Sequence, residues 1–436
     1  MFSWIEAKRV LLRPAVLSVL VIVGVWNFLT SAELVAHATE GAGFIRETLA
    51  DVRELNVRFQ LRMYELIFRL LPHGALSAKW VTLVFIGDEA HWATLHGNTP
   101  TDRSYLATLI TKISTAKAAA IGLDIELLSP VGFAGADDPA RAEQNADLLK
   151  AIKAAVSNGV PVVLASAFGS ERDGSKIRLP GVFEDNQLPI GGCDSKSSYS
   201  ACAMVGYINA PQDRREIPLI ETVFQSDYST RFAFRSFALA VVDAHERGRG
   251  TTRGDTLIAN AINSREPLLG TFLPETAFRP VINADDLIKG NTAAINSCAS
   301  KIVLIGGKWH ELPGAFGGAG YGGFLDTHVS PVGLIPGVVF HANYIESLKT
   351  GSFRPLLPFY LGVIVDLVLG VGIYLAYELL KGWRKFFWLL VAFLSVPFVA
   401  YVFFVFANRY LDFLLPVELY FVHLGYEFIR GLWATS

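Results

Sequence analysis

Four apolar stretches constrain this chain more than anything else in it, one near its start and three close together at its end. They run from Pro14 to Leu29, from Leu356 to Leu380, from Phe386 to Ala407 and from Tyr410 to Trp433. A bilayer core takes roughly 20 apolar helical residues. The third stretch has no charged residue in its 22 positions and the second has only Asp366 and Glu378, so both read as membrane-spanning helices. The fourth holds Asp412, Glu418, His423 and Glu427, which leaves a full span and a partly interfacial segment as its two readings. A lipid bilayer is therefore the first expected partner.

Composition agrees, because 52% hydrophobic against 18% charged residues is too apolar for an ordinary soluble protein. The 38 basic and 40 acidic residues nearly cancel and form no like-charge block, which argues against a nucleic-acid partner. Basic residues flank the stretches asymmetrically. Lys8, Arg9 and Arg13 precede the first, Lys381, Arg384 and Lys385 lie between the second and third, and Arg430 ends the fourth. By the positive-inside rule both termini are cytoplasmic. The expected organisation is then 1–30 as cytoplasmic terminus and first span, 31–79 as a long juxtamembrane helix, 80–353 as one extracytoplasmic domain, and 354–436 as three spans. Ala36-His37-Ala38 resembles a signal-peptide cleavage site, but the apolar run before it is long for that role and stops well short of it.

Cys193, Cys202 and Cys298 all fall in the outer domain. In an oxidising compartment Cys193 and Cys202, which bracket a polar loop, are the expected disulfide. Cys298 reads as a buried thiol, with a bridge to either of the others as the rival. In the segment before the domain, Ile45, Leu49, Val52, Asn56, Phe59, Met63, Leu66 and Leu70 keep an unbroken four-three spacing. That pattern serves either a parallel stalk, making the chain a homodimer or larger oligomer, or a helix packed on its own domain.

From Trp80 onward the pattern changes. WVTLVFI (80–86), AAIGLDI (119–125), PVVLASAF (161–168) and KIVLIGG (301–307) are continuous apolar runs, as strands buried on both faces require. Helical patterns over 104–117 and 138–157 separate the first three, so the expected fold is α/β with a mainly parallel sheet. VGYINA (205–210) reads as a further strand and 231–247 as a helix. Pro336-Gly337 turns the chain into a last strand, VVF, followed by a helix from His341 to Leu348 that leads to the membrane.

The order of these pieces resembles a known family. FIGDEA (85–90), Asp102-Arg103-Ser104 opening a helix, IGLDIELLSP (121–130), KIVLIGG and SPVGLIPGVVFHANYIESLKTG lead into three apolar segments. The arrangement is similar to the second type of CHASE domain, an extracytoplasmic sensor module named for its association with cyclases and histidine kinases. The resemblance implies a sensor in a multi-pass protein of a bacterial inner membrane, its large domain in the periplasm. Two departures stand out. The family usually carries two adjacent acids after the first strand, where this chain has Gly87-Asp88. Family members also usually continue into a cytoplasmic cyclase or kinase, whereas this sequence stops at Ser436, so a separate membrane or cytoplasmic output protein is expected as partner.

Motifs for chemistry are thin. His310-Glu311 lacks a second His four residues on, since Gly314 stands there, and the glycines of 318–323 follow no strand directly. There is no phosphate-binding Gly-Lys-Ser/Thr loop and no Gly-x-Ser-x-Gly elbow, so neither enzyme nor cofactor is expected. Asp326, His328 and His341 allow a metal site on paper, but their spacing is loose and polar or hydrogen-bonded core is the simpler reading. Ligands in parallel sheets sit at the carboxyl ends of the strands. Asp88, Asp124, Glu126, His310 and His341 are thus the ligand-pocket candidates, against the alternative that Asp88 caps the next helix or turn and Asp124 satisfies backbone donors nearby. Within the apolar stretches, Asp366, Glu418 and His423 are the intramembrane polar residues, and Asp366 and His423 fall near mid-depth, where ionisable groups face a partner. The leading expectation is a membrane-anchored sensor that relays ligand or partner binding to an output protein. The rival is a structural or accessory subunit of a membrane complex.

Overall fold

The computed structural model describes residues 77–95, 102–127, 139–170, 176–178, 183, 203–208, 216–217, 219–224, 231–254, 256–257, 268–270, 272–309, 326–330 and 332–353, with isolated positions between 361 and 403. Nearly all belong to one unit, His73–Phe353. The proposed stalk over 45–70, the pair Cys193 and Cys202, His310, and the intramembrane Asp366, Glu418 and His423 lie outside the described residues. Among those described, no helix is long and apolar enough to cross a membrane.

The apolar runs form strands as expected. β1 (Val81–Gly87), β2 (Ala120–Asp124) and β3 (Val162–Ser166) are followed by β4 (Phe168–Ser170), β5 (Lys176–Arg178) and β6 (Ala203–Tyr207). β7 (Glu216–Ile217), β8 (Ile220–Phe224), β9 (Arg231–Arg235) and β10 (Leu268–Leu269) come next. β11 (Val281–Asn283), β12 (Ile302–Lys308), β13 (Thr327–Ser330) and β14 (Gly333–Pro336) complete the set. Six of them make the central sheet in the order β11-β1-β12-β2-β3-β6, with every neighbouring pair parallel. β12, late in sequence, is inserted between β1 and β2.

Strand alternation divides the core into two layers. Val84, Ile86, Ile121, Leu123, Val303 and Ile305 point to a face covered by α1 (Arg103–Thr115), α2 (Pro139–Ser157), α4 (Ala284–Ile288) and α5 (Thr292–Cys298). Leu83, Phe85, Val163 and Leu304 point to the other, which meets α3 (Phe237–Gly248) and α6 (Gly337–Thr350). Asp102 caps α1 by accepting from the N–H groups of Ser104 and Tyr105 at 2.8 and 3.0 Å, the role its place before the helix predicts. Cys298 ends α5 as a free buried thiol, and burial pushes its pKa up to about 11. It is not bridged.

Two expectations need correction. Residues 231–235 are a strand, not the start of a helix. Arg-Phe-Ala-Phe-Arg alternates with period two, Phe234 is buried, and the helix begins only after Ser236, whose hydroxyl accepts from the N–H of Leu239. The VVF triplet, Val338–Phe340, is helical, and α6 starts at Gly337. β-branched residues favour strands, but here the partner strand is already used. β14 pairs with β13 just before, and Val338 packs so tightly on Gly306 of β12 that any side chain at position 306 would collide with it. Burial against the sheet overrides local propensity.

Candidate functional site

β1, β12 and β2 are parallel neighbours, so their carboxyl ends share one edge, and the start of α6 meets it where Val338 packs on Gly306. Gly306 is level with Asp124 on β2, and Gly87 with Lys308 on β12. Glycine at 306 lets α6 approach the sheet. Glycine at 337 does the same for Asp326, since a Cβ there would overlap the Asp326 carboxylate. The N–H of Gly337 donates to the Asp326 carbonyl at 3.1 Å, which fixes the first turn of α6 beside that acid.

These close approaches gather four polar side chains from β2, the β13 hairpin and α6. Asp124 Oδ1 lies 3.9 Å from His341 Nε2, and both side chains are almost fully buried. That distance is too long for a hydrogen bond. Asp326 Oδ1 and His328 Nε2 are 3.0 Å apart, and His328 stacks on Phe340 at 5.0 Å. The ring of His341 meets the edge of Phe237 at 5.3 Å. Asp124 Oδ2, His341 Nδ1 and His328 Nδ1 are buried without a hydrogen-bond partner.

Burial sets the charge states. It raises the Asp124 carboxyl well above the usual range, and the nearby Asp326 adds to that. Burial also lowers His341 to about 3, with His328 lowering it further and Asp326 opposing. For Asp326 burial pushes upward, but the hydrogen bond and charge of His328, the proximity of His341 and the N–H of Gly337 outweigh it and hold the carboxyl below its ordinary value. Burial therefore favours the neutral form of both Asp124 and His341, while the contacts of Asp326 favour its carboxylate. An imidazole that resists protonation this strongly is a poor general base.

A second polar group lies toward the other face of the same edge. His91, in the turn after β1, stacks flat on Trp309, just past β12, at 4.2 Å and 4°. His91 Nδ1 and Trp309 Nε1 are both buried and unpartnered. Burial lowers His91, with Asp88 opposing.

Of the five sequence candidates, the structure brings Asp124 and His341 together. Glu126 is near that edge, its Oε1 buried and unpaired and its carboxyl raised by burial. Asp88 is exposed and opens the turn at 89–94 without a side-chain capping bond. His328 and Asp326 join the cluster through the hairpin. Among the described residues, no group of three or more His, Cys, Asp or Glu is arranged to hold a metal ion. The Trp309–His91 stack was not anticipated, although a Trp directly after a strand ending in Gly-Gly-Lys was its visible signal.

The opposite end of α6 is a different kind of site. Glu346 Oε1 accepts from the backbone N–H groups of Trp80 and Val81 at 2.7 and 2.9 Å, where the chain enters β1. One turn on, Lys349 is ion-paired with Glu246 of α3 and lies 4.4 Å over the ring of Trp80. Midway, Asn343 accepts from the N–H of Leu273 and donates to its carbonyl. α6 therefore touches the polar cluster at one end and clasps the incoming chain at the other.

A family model described as CHASE2 domain matches residues 44–376, most of the chain. The chain belongs to the CHASE2 domain family. CHASE2 domains are extracellular sensory modules, and the parallel α/β unit described above is the bulk of this one. Neither the curated proteins nor the solved structures compared with this CHASE2 chain include a match.

Proposed function

We propose that this CHASE2 chain is a membrane-anchored extracytoplasmic sensor without catalytic activity, whose α6 carries the state of the polar edge to the point where the chain enters β1 and leaves for the membrane. The observation that carries this reading is the double engagement of α6. Its first turns hold His341 against Asp124 and Gly337 against Asp326, and its last turns hold Glu346 on Trp80 and Val81. Fourteen residues make a rod of about 21 Å, so a shift at one end is delivered to the other. Three unpaired buried polar atoms in the Asp124–His341–His328 cluster give a ligand or partner something to satisfy.

Anchoring is supported by the four apolar stretches and by Ile364, Val368 and Phe398. These are helical positions in the second and third stretches, 52, 67 and 63% exposed, as lipid-facing side chains would be. Relay to an output protein is supported by the sensory character of the CHASE2 family. The sensor reading is favoured over an assembly subunit by the scarcity of exposed apolar surface. Among the described residues of the His73–Phe353 unit, only Val281 and Leu334 are large exposed hydrophobics.

Purification of the full chain from its native membranes, followed by mass spectrometry, tests the relay. A stoichiometric signalling protein is the expected companion. Recovery in a large multi-subunit assembly with no signalling component would replace the sensor with the structural reading.

A further inference from the structure

The unit gathers exposed basic side chains at one edge of its sheet. At the edge where the strands begin, Lys79, Lys117, Arg249, Arg253 and Arg279 are exposed and Lys301 is half-buried. They form one surface: Lys301 Nζ donates to the Lys79 carbonyl at 2.7 Å, the N–H of Ser300 to the Lys117 carbonyl at 3.0 Å, and Arg253 Nη2 to the Lys349 carbonyl at 2.9 Å. Among the described residues, the acids nearest this edge are Asp243, Glu246, Glu275 and Glu346, each already engaged by a basic side chain, Thr251 or backbone N–H groups. The opposite edge carries the exposed Asp88 and Glu89 and the Asp326 carboxylate, together with Arg103 and Lys308, while burial favours the neutral forms of Asp124 and Glu126. Complementing helix dipoles explains Lys117 after α1 and Arg249 after α3. It does not explain Lys79, Arg279 and Lys301, which lead into β1, β11 and β12.

The described chain leaves the basic edge at Phe353, and the second apolar stretch begins at Leu356. Three extended residues span about 10 Å. At physiological salt, with a Debye length of about 8 Å, that separation weakens the attraction about threefold without abolishing it.

We propose that the basic edge of the CHASE2 unit docks on anionic lipid headgroups of the bilayer that holds the chain, so that lipid charge sets the resting position of the end of α6. This rests on reading the apolar stretches as membrane spans. Docking would hold the Lys349–Trp80 end of α6 against a fixed plane, leaving the strand-end edge free for the sensed ligand.

The test uses the full chain reconstituted in phosphatidylcholine vesicles with and without phosphatidylglycerol, read by hydrogen exchange. With the anionic lipid, amides over 112–119, 249–254 and 296–301 should exchange at least about fivefold more slowly, the factor that one basic residue's attraction to an anionic surface supplies. Amides over 102–106, at the opposite edge, should not change. The slowing should vanish in about 0.5 M salt, where the Debye length falls to about 4 Å, and in a Lys117→Glu, Arg249→Glu, Lys301→Glu variant whose β1 amides stay protected. Equal exchange in the two lipids, or slowing that survives high salt, overturns the proposal; the salt series decides it even where the variant misfolds. A chain that alkaline carbonate strips from the vesicles removes the membrane reading and the proposal together, whereas a retained chain indifferent to lipid charge removes the proposal alone.

Discussion

The two edges of the sheet treat buried polar groups in opposite ways. At the edge where strands begin, Glu346 accepts from the N–H groups of Trp80 and Val81, and Lys349 and Thr251 both engage the Glu246 carboxylate, so the buried acids are all satisfied. Where strands end, His91, Asp124, Glu126, Ser166, Trp309, His328 and His341 each bury at least one polar atom with no partner; Ser114 alone among the described residues does so elsewhere. A buried donor or acceptor left unpaired costs about 1–3 kcal/mol. A fold tolerates that at one edge only when other contacts hold the edge together, and here Phe237, Phe340 and the glycine approaches at 306 and 337 do so. The difference separates a fixed clasp from a surface poised to take up hydrogen bonds.

The comparison breaks most readily at Lys349. Lys349→Met strands the carboxylate of Glu246, whose side chain is 5% exposed, and should destabilise the unit by about 3–5 kcal/mol. Adding Glu246→Leu should recover much of the loss, because a well-packed apolar pair replaces the charges. Urea midpoints of the single and double variants measure both effects. A single variant within 1 kcal/mol of the parent, on the scale of about 0–1 kcal/mol set by exposed pairs, would show the network to be no clasp. Glu346→Ala comes next, at about 2–4 kcal/mol, since it leaves two backbone N–H groups unpaired. Glu346→Gln keeps an acceptor and should cost far less. Exchange rates of the Trp80 and Val81 amides distinguish the two.

How much of this was legible in the sequence differs between the edges for a physical reason. The strands were legible because burial on both faces demands unbroken apolar runs, and the rule that ligands gather at strand ends pointed to Asp124, Glu126 and His341. The clasp was not legible. Glu346 and Trp80 are 266 residues apart, and a Glu in a late helix carries no local mark of the backbone it will accept from. Val338–Phe340 misled because β-branched and aromatic residues favour strands when no tertiary contact is known, and the contact that decides, Val338 on Gly306, joins distant segments. The cluster was half legible: Asp124 and His341 stood out, whereas their convergence with Asp326 depends on Gly337 having no side chain.

Acid should act on His341 and His245, one at each edge, with the same sign but over different ranges. An unfolded imidazole takes up its proton near 6.5, and folded His341 resists until about 3. Between those values the unfolded state binds more protons, so stability falls as pH falls, by about 1.4 kcal/mol per pH unit. His245, lowered to about 4 by burial and by Lys349, adds a loss of the same sign that ends sooner. His341→Gln should remove its share and leave that of His245. Asp124 works the other way: its raised carboxyl contributes stability at low pH that is lost as pH rises above the unfolded value of 3.8, so Asp124→Asn should help at neutral pH and not at acid pH. Urea unfolding from pH 4 to 7 reads the differences, and parallel curves for parent and His341→Gln would mean that His341 is not held neutral by the fold.

The smallest effects give the sharpest contrast, because two hydroxyls of similar chemistry sit at opposite edges. Thr251 donates to the buried carboxylate of Glu246 at 2.5 Å, and bonds to charged acceptors contribute about 1.5–3 kcal/mol. Thr251→Val keeps the shape and loses that bond, so it should destabilise the unit by an amount in that range. Ser166, at the carboxyl end of β3, buries its hydroxyl without a partner. Ser166→Ala removes an unsatisfied group and almost no volume, so it should be neutral within about 0.5 kcal/mol or stabilising. Urea midpoints of the two variants, measured side by side, decide the matter. A loss at Ser166 equal to that at Thr251 would show that a bound water or ligand already satisfies the strand-end hydroxyl, and the contrast between the edges would then reflect occupancy instead of construction.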